Sequence, residues 1–146
     1  MNMLVQKILN SKASDAVVTV KPGSLVRDAA QILAKKQIGT VVVSSSGDTA
    51  DGILSERDIV RELAAHGASC LAEKVDDYMT SKLVTCKLSD TADSVLHQMT
   101  KGRFRHMPVV EDGQLIGLIT LGDVVKARLS ELSMEKDALQ GMIMGH

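Results

Sequence analysis

Aromatic residues are almost missing from this chain. Its 146 residues include one Tyr, one Phe and no Trp. The stacking platforms on which single-strand nucleic-acid binders seat bases are therefore nearly absent. An excess of one charge sign is missing too: 17 basic and 18 acidic residues leave a formal net charge of -1. No global field draws such a chain to nucleic acid or to an anionic membrane. No stretch approaches the ~20 apolar residues of a membrane span. The opening MNMLVQKILNSK is too polar for a secretory signal. Cysteine occurs twice, as Cys70 and Cys86, with no CxxC and no His at metal-ligand spacing. Two lone thiols without an export signal fit a cytoplasmic protein, and Cys86, in a strand-like stretch, reads as core filler. GxGxxG, Walker A, GxSxG and HExxH fingerprints are also lacking, so the expectation is a protein that is not an enzyme, with no metal site and no required cofactor.

What the chain does have is an aliphatic core and an internal repeat. Hydrophobic residues make up 45% of it, enough for one domain or two small ones. VTVKPGSLVRDAAQIL begins at Val18 and VTCKLSDTADSVLHQM at Val84, an offset of 66. The offset holds through Ile38/Phe104 and Val43/Val109, then becomes 65 at Gly52/Gly117 and Asp58/Asp123. A fixed period of this kind marks one supersecondary unit used twice.

Each copy predicts β-α-β-β-α. VVTV and LVTC are short β-rich stretches, and Ser24 and Asp90 are placed to cap the helices that follow. Leu25, Ala29, Ile32 and Leu33 share one face of the first helix; Ala92, Val95, Leu96 and Met99 share one face of its counterpart. TVVVS and HMPVV lead into turns at SSGDTADG and EDGQ, and GILS and GLIT read as the returning hairpin strands. The closing helices carry Ile59, Val60, Leu63 and Ala64, and Val124, Val125, Leu129 and Leu132. The fold class is therefore α+β: an N-terminal helical segment over 1–15, repeats over 16–66 and 83–130, a linker over 67–82 and a helical tail over 131–146. The N-terminal helix has Leu4, Val5, Ile8 and Leu9 on one side; Leu132, Leu139, Met142 and Ile143 run in phase along the tail. Two such halves are expected to pack about a pseudo-twofold axis and form two related clefts.

Ser55-x-x-Asp58 and Thr120-x-x-Asp123 recur at the start of the closing helices. One reading is a capping box, in which the hydroxyl and the acid satisfy each other's backbone N–H groups. The other is a nucleotide site. A helix N-terminus favours anions, a hydroxyl there can donate to phosphate, and an Asp one turn in can accept from the two hydroxyls of a ribose. Basic residues support the second reading: Arg57 lies inside the first motif, and KGRFRH supplies Lys101, Arg103, Arg105 and His106 just before the second hairpin.

GILSERDIV and HMPVVEDGQLIGLITLGDVV resemble the cystathionine β-synthase (CBS) domain, and the pair resembles a Bateman module over residues 16 to 130. DDYMT before the second copy agrees, and the whole is similar to small stand-alone bacterial CBS-pair proteins. The family's proline is Pro108 in the second copy; its counterpart in the first is Val42. The resemblance implies a sensor that binds adenosyl nucleotides such as AMP, ADP, ATP or NAD and signals to an effector protein. It implies ribose ligands at Asp58 and Asp123, and phosphate ligands at Ser55 and Thr120; the charge reading adds Arg57, Arg103 and Arg105 on the phosphate side. The adenine walls would come from Val18, Val20 and Lys21, from Ile38, Gly39 and Thr40, from Val84, Thr85 and Cys86, and from Phe104, His106, Met107 and Pro108. A homodimer is expected, with no nucleic-acid or membrane partner. The rival reading is a structural dimerisation module with degenerate clefts.

Overall fold

A computed structural model describes residues 3–12 and 17–143. Among these, the chain gathers into two compact units. One comprises 17–84 with 110–116; the other comprises 3–12, 85–109 and 117–143.

The first unit contains a three-stranded sheet. Strand β1 (Thr19–Val20) pairs parallel with β2 (Thr40–Val43), and β2 pairs antiparallel with β3 (Gly52–Ser55). All four β2 residues are buried, so TVVV reads as an unbroken apolar run without alternation. Helix α2 (Val26–Lys36) buries Val26, Ala29 and Leu33 against this sheet's core, and α3 (Glu56–His66) buries Ile59. The predicted α3 face is mostly bare: Val60 is 64% exposed, and Leu63 and Ala64 are exposed too. Two short 3-10 turns, Gly67–Ala72 and Val75–Asp77, follow, and Val75 closes the core.

In the second unit α4 (Ala92–Gly102) buries Ala92, Val95 and Met99. The hairpin β4 (His106–Glu111) and β5 (Gln114–Thr120) begins and ends in this unit, while its tip, residues 110–116, counts with the first; it turns at Asp112 and Gly113, both left-handed with φ of 51° and 78°. A two-residue hairpin loop needs that geometry. LVTC does not form a full strand; it is reduced to one parallel bridge, Cys86 to Val109, held by the Cys86 N–H donating to the Pro108 carbonyl at 3.0 Å. Helix α1 (Val5–Ser11) buries Val5, Ile8 and Leu9 in this unit's core. Helix α5 (Leu121–Ile143) buries Val124 and Ala127, while Val125, Leu129, Leu132, Leu139 and Met142 stay exposed. Its Glu131 is buried, accepts the Met3 N–H at 2.9 Å and pairs with Arg128. The Ile143 side chain lies outside the described residues.

Two expected caps are corrected. Helix α2 has Leu25 at its N-cap with no side-chain cap, because the Glu73 carbonyl takes the Val26 N–H at 2.9 Å. Helix α4 is capped by Thr91, whose hydroxyl accepts from the Ser94 N–H. Asp90 instead closes the preceding turn by accepting the Lys87 N–H. Both helices end on a left-handed non-glycine residue, Gln37 at φ 54° and Arg103 at φ 58°, which is a helix-terminating geometry.

Candidate functional site

Both S/T-x-x-D motifs form reciprocal caps. In the first unit the Asp58 N–H donates to the Ser55 hydroxyl at 3.1 Å, and the Ser55 N–H returns to Asp58 Oδ2 at 2.9 Å. The Ser55 hydroxyl also donates to Oδ2 at 2.9 Å, and Arg61 takes Oδ1 at 2.7 Å. In the second unit the Asp123 N–H donates to the Thr120 hydroxyl at 3.1 Å, and the Thr120 N–H donates to Asp123 Oδ2 at 2.9 Å. The residue just ahead of each hairpin adds a further bond: the Gly39 carbonyl, before β2, accepts from the Glu56 N–H at 2.9 Å, and the Arg105 carbonyl, before β4, from the Leu121 N–H at 2.8 Å.

Asp123 has a second partner. Lys12 Nζ lies 2.9 Å from its Oδ2 and donates to the Leu118 carbonyl at 3.0 Å. Burial pushes the Asp123 carboxyl up, but the hydrogen bonds from Lys12 and Thr120 and the Lys12 charge outweigh it and hold it below the usual carboxylate value.

An open pocket of about 550 Å³ lies at the start of α5. Its wall is made by the basic residues Arg105, His106 and Lys126, by Thr120, and by Leu121, Gly122, Val125 and Leu129. Of the first three N–H groups of α5, the Leu121 N–H donates to the Arg105 carbonyl and the Asp123 N–H to the Thr120 hydroxyl, so the helix end offers the Gly122 N–H and the positive end of its dipole. A hydroxyl, three basic side chains and that helix end together suit a phosphate-bearing ligand.

The other residues singled out by sequence are distributed as follows. Thr40 is buried and faces Ser55 across the β2–β3 ladder, with Ile38 and Gly39 half-buried beside it. The Val18 carbonyl accepts from the Val42 N–H at 3.0 Å, Val20 is buried, and Lys21 is exposed. Met107 and Pro108 are buried in β4, Phe104 is half-buried, and Val84 and Thr85 are exposed. Burial, and then the Asp90 charge, push the Cys86 thiol up to about 12. Arg57 is exposed on the first turn of α3, and Arg103 is exposed at the end of α4; the walls of the pocket include neither Arg103 nor Asp123. Sequence reading missed Lys126 and Lys12. Lys126 could have been found one helical turn after Gly122; Lys12 gives no local signal, since 111 residues separate it from Asp123.

Comparison with known proteins bears on the family and the fold. The CBS domain profile matches residues 7–65 and 75–130. A crystal structure of the CBS-domain containing protein ATU1752 from Agrobacterium tumefaciens superposes with a TM-score of 0.81 at 43% identity, covering 86% of this chain and 99% of that one. CBSX3, a mitochondrial CBS domain-containing protein of Arabidopsis thaliana, is 35% identical over 124 residues, 82% of this chain and 60% of its own length. The chain spans 24% of another Arabidopsis relative, CBSCBSPB2. The CBS domain pair of protein MJ0100, solved with 5'-methylthioadenosine and S-adenosyl-L-methionine, superposes with a TM-score of 0.74 at 25% identity, covering 86% of this chain and 98% of that one.

Proposed function

Since this chain belongs to the CBS-domain family and carries two copies of the domain, we propose that it is a regulatory module that binds an adenosyl nucleotide and passes its occupancy to a partner protein, without catalysing a reaction. The observation that carries this reading is the pocket at the start of α5, where Arg105, His106, Lys126 and Thr120 converge. The ligand's phosphate sits there, on the Thr120 hydroxyl and the Gly122 N–H, at the positive end of the helix dipole. The ribose diol is taken by Asp123 in this unit and by Asp58 in the other, where Ser55 takes the place of Thr120. Backbone groups and aliphatic side chains of the neighbouring strands hold the base: Val18, Val20, Ile38, Gly39 and Thr40 in one unit, and Cys86, Phe104, Met107 and Pro108 in the other. AMP, ATP and NAD are the expected ligand class, and the MJ0100 pair shows that a relative takes adenosyl ligands. The protein acts in the cytoplasm as a homodimer.

A second reading, a ligand-free dimerisation module, is favoured by the exposed apolar row on α5: Val125, Leu129, Leu132 and Leu139 recur at helical spacing. Thermal melting with AMP, ATP, NAD and S-adenosylmethionine separates the two. A ligand at about 100 times its Kd adds roughly 2.7 kcal/mol to the native state. At least one should raise Tm; no shift with any of the four would leave the dimerisation reading standing.

A further inference from the structure

The two units are each entered by a segment that leads in the same way. In one, the Val5 N–H donates to the Asp90 carbonyl at 2.9 Å and the Ala92 N–H to the Met3 carbonyl at 2.8 Å. In the other, the Val75 N–H donates to the Ser24 carbonyl at 2.8 Å and the Val26 N–H to the Glu73 carbonyl at 2.9 Å. Leu9 lies over Gly117, and Met79 over Gly52. Residues 3–12, ending in LNSK, are thus the counterpart of residues 73–82, ending in MTSK, with Lys12 matching Lys82.

The two lysines part ways. The Lys12 side chain is only 23% exposed and bridges Asp123 Oδ2 and the Leu118 carbonyl. Lys82 is exposed, and Asp58 is paired instead with Arg61, whose own side chain is 65% exposed. An exposed arginine on its own helix swings into water at little cost, since surface ion pairs are weak. A half-buried lysine holding two acceptors does not. Asp123 Oδ2 takes the Thr120 N–H and Lys12, and Asp58 Oδ2 takes the Ser55 N–H and hydroxyl; the serine hydroxyl frees its oxygen by turning about one bond, whereas the anchored lysine has to leave before a vicinal diol finds both Asp123 oxygens open.

We propose that Lys12 is an internal competitor for the Asp123 site: a nucleotide's ribose takes the carboxylate only as the lysine leaves it, which makes the two sites unequal and couples filling of the second to release of residues 9–12. This rests on the nucleotide-binding reading above. The Asp58 site, with no such competitor from the lead segment, fills first. A site that must first open loses affinity by the fraction of time it is open, so removing the lysine tightens binding.

The test is calorimetric titration of AMP in the Asp58→Asn background, which leaves the Asp123 site to be read. Lys12→Met should tighten AMP by about tenfold or more, as expected for a latch that is closed nine-tenths of the time or longer. Lys82→Met should leave it unchanged. Hydrogen exchange on the unmutated chain gives an independent measure that no folding defect can obscure: amides of residues 9–12 should exchange faster when AMP is added. Equal affinity with and without Lys12 overturns the latch and leaves the nucleotide site in place. Weaker binding in Lys12→Met makes the lysine a ligand residue and likewise overturns it. Slower exchange at 9–12 on adding AMP has the same force. Absence of AMP binding in the unmutated chain and in every variant overturns the nucleotide reading and the latch together.

Discussion

Ser55 and Asp58 satisfy each other's backbone: the serine hydroxyl accepts the Asp58 N–H, and the Asp58 carboxylate accepts the Ser55 N–H. Thr120 and Asp123 do the same. Capping and ribose binding therefore compete for one carboxylate without excluding each other, and the Asp→Asn variants measure both. Loss of charge at a helix N-terminus should cost about 0.3–1 kcal/mol of stability in Asp58→Asn and Asp123→Asn, read by urea unfolding. Hydrogen bonds to a charged group are worth about 1.5–3 kcal/mol, so nucleotide affinity at the altered site should fall roughly ten- to hundredfold. Lowered stability with unchanged affinity in both variants would leave the motif as a cap alone.

Acid should act on the second unit through Asp123. Its carboxyl is held low in the folded chain, so the stability it contributes is complete above the unfolded value of about 3.9 and is lost as pH falls through the folded value. In Lys12→Met the strongest opponent of burial is gone, and that loss should begin at higher pH. Carboxyl-carbon NMR titration of Asp123 in both proteins checks this; coincident curves would remove Lys12 from the balance.

The cysteines should be silent in the native state. Cys70 and Cys86 are both buried, and the Cys86 thiol is pushed up to about 12. A raised folded value favours the neutral thiol: its contribution is full below the unfolded value of about 8.5 and is lost as pH rises toward 12. Ellman's reagent at pH 8 should therefore find almost no thiol without denaturant and two with it. Rapid labelling of Cys86 in the folded chain would contradict its burial.

Self-association should pass through α5. Leu132 is 49% exposed, lies on the apolar row and is not part of the pocket wall. Leu132→Glu should convert a twofold dimer into monomer by light scattering, with AMP binding intact. A dimer mass unchanged by this charge would move the interface elsewhere.

Much of the architecture was legible because the hydrophobic period and the turn residues agree in both copies. Val95 and Met99 on α4, and the Asp112–Gly113 turn, lie where local pattern puts them. Local pattern failed where a distant backbone group took over a local task. Ser24 is a good capping residue, yet the Glu73 carbonyl does that work for α2. LVTC has strand composition, yet it makes a single bridge. The match between residues 3–12 and 73–82 was hidden because its spacing is 70, not 65 or 66, and because few of its residues are alike. In the candidate site, the S/T-x-x-D motifs and the Arg105–His106 pair were visible; Lys12 was not, because its place depends on a contact across 111 residues.

The lead segments also decide how this chain can be divided. Each stands just before one repeat in sequence and completes the core of the unit built from the other: Val5 belongs with Val95 and Val124, and Val75 with Val26 and Val41. A fragment cut to begin at residue 83 leaves Val5, Ile8 and Leu9 behind and exposes the apolar surface they cover. A circular permutant that joins the termini and opens the chain ahead of residue 17 does the reverse. It places residues 3–12 after α5, so that each repeat is followed directly by the segment that closes it, as the first repeat already is by 73–82.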